Sequence, residues 1–205
     1  YLVFRIWSGI SDWPDYNQRF WSSPDYDNKW RWIVYDSDIA LGFGFDYKNY
    51  ALFVLKDSVK IFSKMVRKLL DNEQFKIRML NGFADLFNTK LNKINTIHLL
   101  DSLSNLIRDE VPRHKKRWEG SLIDWENDIE LFNDFLIKRN YSVISNLLSF
   151  YKLSGITKFY YDDSTLLNGS FKINNILRKE FFDEIIYFQG IPVTLEAVLK
   201  PGYEF

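Results

Sequence analysis

The sequence contains no cysteine and only two histidines among its 205 residues. Disulfide bonds, thiolate catalysis and cysteine-ligated zinc are therefore excluded, and a histidine-rich metal site is not expected. Glycine and proline are also scarce, with 9 and 5 residues, which excludes collagen-like and low-complexity chains. No apolar run approaches the length of about 18 residues that a membrane-spanning helix requires.

The residues that are abundant favour a globular protein with one ordinary core. Hydrophobic residues make up 46% of the chain and aromatic residues 18%. The 27 basic side chains balance the 27 acidic ones, so overall charge gives no reason to expect nucleic-acid binding. Residues 56–117 nevertheless carry 14 basic and 7 acidic side chains. This local excess fits either solvated helix faces or an anion-binding face.

Apolar residues recur at helical spacing between residues 50 and 151. Five stripes predict five amphipathic helices, and the third is expected to begin at Asn95 or Thr96 and to stop at Pro112. The fourth stripe runs from Trp125 to Leu136, and a separate fifth runs from Val143 to Tyr151. Together they predict a helical core in which the bulky Trp118 and Trp125 are buried.

After Ser154 and Gly155 the periodicity changes to four short β-like runs separated by turn residues. These runs are Ile156–Tyr161, Ser170–Asn174, Ile185–Phe188 and the alternating residues from Val193 to Leu199. The fold class is therefore α+β, mainly helical with a short β-rich C-terminal segment. We expect a helical unit over residues 1–153 and a β-rich segment over residues 154–205. At about 50 residues that segment could hardly fold alone, so it should either lean on the helical part or begin a longer β module.

The irregular first 50 residues contain two carboxylate motifs. In the first, Asp12 is followed five positions later by Asn17. Kinase-type catalytic loops use this spacing, with the aspartate accepting the proton of the substrate hydroxyl and the asparagine binding a metal ion. Aspartate and asparagine are also ordinary turn residues, so this motif alone does not decide between the two interpretations.

The second motif contains Asp36 and Asp38 and ends at Gly42. It follows the apolar run Trp32–Tyr35, which predicts a buried strand with a carboxylate at its end. Such a carboxylate is well placed to hold Mg²⁺ or Mn²⁺ beside a phosphate group. The simpler alternative is an aspartate that caps a turn.

The residues around both motifs resemble the central signature of the CotH kinase family, the spore coat protein H-like atypical kinases. The matching residues are Asp12-Trp13-Pro14, Asn17, Trp21, the run from Lys29 to Asp38, and Gly42. Further matches follow in the helical half, in the same order as in that family: Leu69–Asn72, Phe75, Ala84–Thr89, His114, Arg117-Trp118, Trp125 and Arg139. The resemblance covers roughly residues 1–153.

This resemblance implies a mainly helical, kinase-like C-terminal lobe that uses ATP with Mg²⁺ or Mn²⁺. Asp12 would be the catalytic aspartate, and Trp30 would lie near the adenine. Asn17 and Asp36 would bind the metal, Asp36 also contacting the nucleotide phosphates, and Asp38 would be a further metal-binding carboxylate. The implied reaction transfers the γ-phosphoryl group of ATP to a serine or threonine of a protein substrate.

Two features depart from the family pattern. The family often places an asparagine two residues before the catalytic aspartate, where this sequence has Ile10. The family's N-terminal lobe precedes the Asp-Trp-Pro motif, whereas only eleven residues do so here. We therefore expect this chain to be part of a larger secreted or surface protein and to be inactive on its own.

The C-terminal residues, from Gly190 to Ala197 and from Pro201 to Phe205, are similar to small β-repeats of bacterial surface proteins. This second resemblance implies an extracytoplasmic location, at the cell surface or in a spore coat, with protein partners, no nucleic acid and no membrane span. Two alternatives remain open: a non-catalytic coat or surface protein that retains a kinase-like scaffold, and a carbohydrate-active protein that uses paired carboxylates.

Overall fold

A computed structural model describes residues 1–10, 13, 16–42, 47–48, 52, 59–161, 166, 169–178 and 184–202. Within these ranges an N-terminal helix and a β-hairpin precede a helical body, and a β-rich segment follows it. The helices are α1 (Leu2–Ser8), α2 (Ile61–Leu70), α3 (Glu73–Phe87), α4 (Lys93–Ile107), α5 (Val111–Trp118) and α6 (Leu122–Tyr151), with a 3-10 turn at Arg108–Glu110. The strands are β1 (Arg19–Trp21), β2 (Arg31–Ile33), β3 (Ile156–Phe159), β4 (Gly169–Ile173), β5 (Ile176–Arg178), β6 (Ile185–Phe188) and β7 (Leu195–Leu199). The α+β class predicted from the sequence is confirmed.

Helix α1 lies at the centre of the helical body, against α3 and α6. Its residues Ile6 and Trp7 are buried and belong to the same core cluster as Phe83 of α3 and Phe135 of α6. The helix ends at Gly9, whose φ of 66° places it in the left-handed region that glycine adopts without strain. Helix α1 therefore ends in the core, immediately before the loop that contains the first carboxylate motif.

The fourth and fifth predicted helices are one helix, the 30-residue α6. The apolar stripe is interrupted near Arg139, which suggested a break. Arg139 is nevertheless fully buried and donates hydrogen bonds to the carbonyl oxygens of Ile6 and Trp7 at the end of α1. A buried arginine thus replaces an apolar residue in the stripe, because the C-terminal carbonyls of α1 require hydrogen-bond donors.

Other predictions for this region were also wrong. Helix α4 begins after Asn92, whose side chain accepts a hydrogen bond from the Asn95 backbone, so the cap lies upstream of the predicted one. Pro112 does not end a helix; it lies in the first turn of α5, where its missing N–H has no cost. Trp118, expected to be buried, is 64% exposed; it is the last residue of α5.

The β-rich segment contains two small antiparallel sheets. Strands β3 and β6 pair in one, and the order β5-β4-β7 forms the other. Strands β3, β4, β6 and β7 correspond to the four predicted β-like runs. Strand β5 was not predicted, since its three residues carry too little pattern to be recognised.

The two sheets pack on the helical body through α3. Asn88, which follows α3, donates from its side chain to the carbonyl of Ile186 (2.8 Å) and accepts from the Ile186 N–H (3.0 Å). Asp85 accepts a hydrogen bond from the hydroxyl of Tyr187, and burial raises the pKa of that phenol, so the hydroxyl remains a donor. Ile185 and Tyr187 belong to the same core cluster as the helices. That residues 154–205 begin a surface-type module stays a prediction.

Candidate active site

The hairpin formed by β1 and β2 carries the aromatic residues of the site. Phe20 pairs with Trp32 across the two strands, and Trp30 contacts the Phe20 ring edge-on with ring centroids 5.4 Å apart. Trp32 in turn packs against Phe62 of α2, at 6.0 Å between ring centroids. The hairpin is therefore attached to the helical body by its aromatic side chains, while Trp30 itself remains 64% exposed.

A cavity of about 830 Å³ lies between this hairpin and the beginning of α2. We call it the aromatic cleft. Phe20, Trp30 and Trp32 line one side of it, and Asn17 and Lys60 also reach it. The cleft thus brings two of the predicted site residues, Asn17 and Trp30, to one space, together with a lysine that the sequence analysis did not select.

Arg5 of α1 connects the two carboxylate motifs. This arginine is fully buried, and its guanidinium donates to the backbone carbonyl of Asn17 (3.1 Å) and to that of Tyr35. A longer contact of 3.5 Å reaches the carbonyl of Asp36. The planar, forked guanidinium suits a site with several carbonyl acceptors, because its donors point in fixed directions. Arg5 therefore brings the backbones of Asn17 and Asp36 together.

Both of these residues have a left-handed backbone conformation. The φ angle is 56° at Asn17 and 50° at Asp36. Asparagine and aspartate tolerate this region better than other residues with a side chain, but it is still uncommon. Such a conformation persists where the surrounding structure holds it, and such residues concentrate at functional sites. Here the guanidinium of Arg5 supplies that restraint.

The loop after Asp36 is fixed to the core at two further points. The N–H of Leu41 donates to the carbonyl of Ser8 at the end of α1 (2.8 Å). Gly42, with a φ of 93°, approaches α6 so closely that an added Cβ would lie 3.1 Å from the Phe135 ring. Glycine is required there by both the conformation and the contact. The position of the second carboxylate motif is thus set by α1 and α6.

Asp38 lies in a different environment from Asn17. It lines a cavity of about 500 Å³ between this loop and α6, together with Trp125 and Asp128. Its carboxylate is exposed. The described geometry therefore places Asp38 beside α6, apart from the aromatic cleft, and its role as a metal-binding carboxylate stays a prediction.

The predicted catalytic residue, Asp12, lies outside the described residues. The residues on either side of its loop, Ile10 and Trp13, are buried at 1% and 2% exposure. The Trp13 indole packs edge-on against Phe62, with 5.7 Å between ring centroids. Both ends of the short segment that carries Asp12 are thus anchored in the core beside the aromatic cleft.

The expectation that Asp36 follows a buried strand was wrong. Strand β2 ends at Ile33, and Ile33, Val34 and Tyr35 are each more than 40% exposed. The apolar run suggested burial on both faces. In the structure, β2 is paired with β1 alone, so only the face that carries Trp32 packs on the helical body.

The chemistry of the available donors fits a hard divalent cation. Asn17 offers an amide oxygen and Asp36 a carboxylate, which are ligands that Mg²⁺ and Mn²⁺ accept, and such ions commonly use one or two protein ligands beside phosphate oxygens. Within the described part of the chain, no group of three histidine or acidic side chains is arranged to hold a metal.

Comparison with known proteins identifies the family. The family model described as CotH kinase protein matches residues 1–143, which include α1, the hairpin, α2 to α5 and most of α6. The chain belongs to the CotH kinase family. No curated protein and no solved structure matches this CotH-family chain. The match confirms the family resemblance seen in the sequence, and it ends before the β-rich segment, whose resemblance to surface repeats it does not cover.

Three basic residues at or beside the site were not predicted as site residues. Arg5 and Arg139 are buried and bind backbone carbonyls, and Lys60 lines the aromatic cleft. Arg139 was noted only as a family match. An available signal was the presence of a charged residue within an otherwise apolar helical stripe, as at Arg5 in Leu2–Ser8. Charged side chains are almost never fully buried unless they are paired or hydrogen-bonded, so such an interruption indicates a structural role.

No membrane-spanning segment is found among the helices that the structure describes.

Proposed function

We propose that this CotH-family chain forms the nucleotide-binding part of an extracytoplasmic protein kinase. The proposed reaction transfers the γ-phosphoryl group of ATP to a serine or threonine hydroxyl of a protein substrate, with Mg²⁺ or Mn²⁺. The main support is the hydrogen bonding of Arg5, which joins the backbone of Asn17, a residue that lines the aromatic cleft, to the backbone of Asp36. Family membership gives the kinase-like character, and the site residues are our assignment.

The aromatic cleft suits a nucleotide in size and lining. Its volume of about 830 Å³ is within the range of roughly 300–1,000 Å³ that small-molecule sites occupy. We assign the exposed indole of Trp30, supported edge-on by Phe20, to contact with the adenine ring. Lys60 offers an ammonium group to the phosphates from the beginning of α2.

Asn17 and Asp36 are assigned to the metal and the phosphates. A bound divalent ion would neutralise the charge of the β- and γ-phosphates during transfer. The contribution of the chain is to hold two oxygen donors in place before the nucleotide arrives, through the backbone contacts of Arg5. Preorganised groups of this kind need little rearrangement during the reaction.

Asp12 is assigned as the base. The hydroxyl oxygen of the acceptor serine or threonine forms the new bond to the γ-phosphorus, and the bond from that phosphorus to the β-bridging oxygen breaks, which leaves ADP. The Asp12 carboxylate accepts the proton of the hydroxyl and later returns it to solvent. The described residues on both sides of the loop, Ile10 and Trp13, are buried.

The proposed location is the cell surface or the spore coat. CotH is a spore coat family, which fits this placement, and the resemblance of the C-terminal residues to surface repeats points the same way. The absence of cysteine is compatible with such a location.

A second candidate function is a non-catalytic scaffold in a coat or surface layer. It is favoured by one observation: none of the described residues that line the aromatic cleft is acidic. A scaffold does not need Asp12, Asn17 and Asp36 to act together, whereas a kinase does.

Phosphoryl transfer in the full-length protein tests the proposed function. Transfer of label from radiolabelled ATP to protein would be followed for the unmodified protein, for Asp12→Asn and for the exposed control Asp101→Asn. We expect Asp12→Asn to reduce the rate by about 100-fold or more, since a positioned base contributes roughly 10²–10⁴-fold, with ATP binding retained. An unreduced rate in Asp12→Asn would refute the assignment of the base, and no transfer by any folded form would favour the scaffold.

A further inference from the structure

Helix α2 has a strongly basic face. Lys60, the residue before the helix, is followed by Lys64, Arg67 and Lys68, and the helix contains no acidic residue. Positions separated by three, four, seven and eight residues lie on one side of an α-helix. Lys76 of α3 extends the same surface. We call these five side chains the basic face.

The basic face surrounds a cavity at the end of α2. This cavity of about 830 Å³ is lined by Lys64, Arg67, Lys68 and Lys76, and its apolar wall is formed by Phe150 and Tyr151 at the end of α6. The Lys76 ammonium lies 5.8 Å from the centre of the Tyr151 ring, close enough for a cation–π contact. A ligand here would meet both positive charge and aromatic surface.

Two carboxylates in the same cavity reduce the positive charge only in part. Asp71 lies 3.9 Å from Lys68, and Glu73 lies 3.1 Å from Lys76. Lys68 and Asp71 are both largely exposed, so their ion pair is screened and weak. In the second pair Glu73 is largely exposed, whereas the Lys76 side chain is only 22% exposed. Four basic groups against two acidic groups leave a net positive site.

The basic face also reaches the aromatic cleft. Lys60 lines that cleft, and Lys68, eight residues later, lines the second cavity. Eight residues of helix span about 12 Å, which is the length of three or four residues of extended polypeptide. A polypeptide that presents a hydroxyl at the cleft could therefore place its neighbouring residues along the basic face.

We propose that the basic face binds an aspartate- and glutamate-rich segment of the protein substrate, next to the residue that accepts the phosphoryl group. This inference rests on the proposed function, since it takes the acceptor hydroxyl to belong to the same polypeptide. The charge of the face is complementary to such a segment. A polypeptide is favoured over a nucleic-acid strand because the basic face begins with Lys60 at the aromatic cleft, where the acceptor residue of the same polypeptide would lie.

Peptide binding to the full-length protein tests this inference. A short fluorescein-labelled glutamate-rich peptide with a central serine would be titrated without ATP, and its anisotropy measured. The variant Lys64→Glu/Lys68→Glu reverses two charges on the basic face. The matched control Lys116→Glu/Arg117→Glu reverses two exposed charges on α5, with the same change in net charge. All four residues are exposed to solvent, so both variants are expected to fold. Circular dichroism would verify this.

We expect the α2 variant to bind the peptide about tenfold more weakly, and the α5 control to stay within about twofold, because contact charges act locally while distant ones are screened. Affinity for the unmodified protein should fall as salt concentration rises. Equal loss in both variants, or no binding by the unmodified protein, would overturn the proposal. Tighter binding of a single-stranded oligonucleotide or of anionic vesicles, with the same dependence on Lys64 and Lys68, would overturn the assignment of a polypeptide.

A parallel ATP titration keeps this inference separate from the proposed function. ATP binding should be unchanged in Lys64→Glu/Lys68→Glu, because neither residue lines the aromatic cleft. Peptide binding without any ATP binding would contradict the kinase while retaining an acidic-peptide site. ATP binding without peptide binding would contradict the basic-face site alone.

Discussion

Arg5 joins the two loops of the candidate site by its hydrogen bonds. Its side chain lies within the core, yet its donors reach the backbone of Asn17 and of the Tyr35–Asp36 segment. Carbonyl groups from two segments, Asn17 in one and Tyr35 and Asp36 in the other, thus share one cation. Because a buried cation is costly unless it is well hydrogen-bonded, the position of Arg5 and the path of both loops depend on each other.

Substituting Arg5 is therefore expected to affect both stability and nucleotide binding. Arg5→Ala should lower the free energy of unfolding by about 2–4 kcal/mol, since it leaves buried carbonyls without a donor. Arg5→Lys keeps the charge but loses the forked geometry, and we expect it to weaken metal-dependent ATP binding by about tenfold. Urea denaturation and calorimetry measure the two effects.

The control for Arg5 is Arg113→Ala, because Arg113 is an exposed arginine whose ion pair with Glu110 lies at the surface. It should leave both quantities nearly unchanged. Wild-type ATP affinity in Arg5→Lys would show that the geometry of the guanidinium does not position the site.

At the scale of elements, α3 joins the helical body to the β-rich segment. Asn81, Asp85 and Asn88 lie at or near the C-terminal half of this helix and bind Pro192, Tyr187 and Ile186. The segment Ala84–Thr89, which resembles the family pattern, therefore holds the sheets in place.

Asn88→Ala is expected to destabilise the whole chain. It removes both hydrogen bonds to Ile186 and leaves buried backbone groups unsatisfied, so we expect a loss of about 2 kcal/mol. Because Ile185 and Tyr187 share the helical core, helices and sheets should unfold in a single thermal transition at a lower temperature. Asn105→Ala on the exposed side of α4 is the matched control. Separate transitions for the helical and β-rich parts would contradict this coupling.

The sequence predicted the elements better than it predicted their boundaries and connections. Regular apolar periodicity identified α2, α3 and the β-rich segment, because those stripes contain few polar residues that face inward. It failed at Arg139, where a buried polar residue divided one helix into two predicted ones. It also failed at β2, because an apolar run does not reveal whether one face or two will be covered.

The candidate site was predictable in part. Asn17 and Trp30 were selected from motifs and resemblance, and both line the aromatic cleft. Arg5 was not selected. A charged residue in an apolar stripe can indicate a buried structural role, but the sequence does not show which backbone carbonyl groups the arginine binds. The basic face was visible only as a charge excess over residues 56–117, which could equally indicate solvated helices until the fold placed its members around one cavity.

At the scale of the whole molecule, Arg5 ties two loops together at the helical body, next to the aromatic cleft that we assign to a nucleotide. Charge is balanced over the chain but is concentrated on α2, next to the cleft. This arrangement suits a protein that attracts anionic ligands to one surface without binding them everywhere.

Calorimetric titration of ATP into the full-length protein, with and without Mg²⁺ or Mn²⁺, tests whether the loops that contain Asn17 and Asp36 bind a nucleotide together with a metal. The variants would be Asp36→Ala and the exposed control Asp101→Ala. We expect metal-dependent ATP binding that Asp36→Ala weakens by more than about tenfold and that Asp101→Ala leaves unchanged. ATP binding that is equally strong in Asp36→Ala, or no ATP binding by the folded protein with either metal, would contradict the proposed nucleotide site.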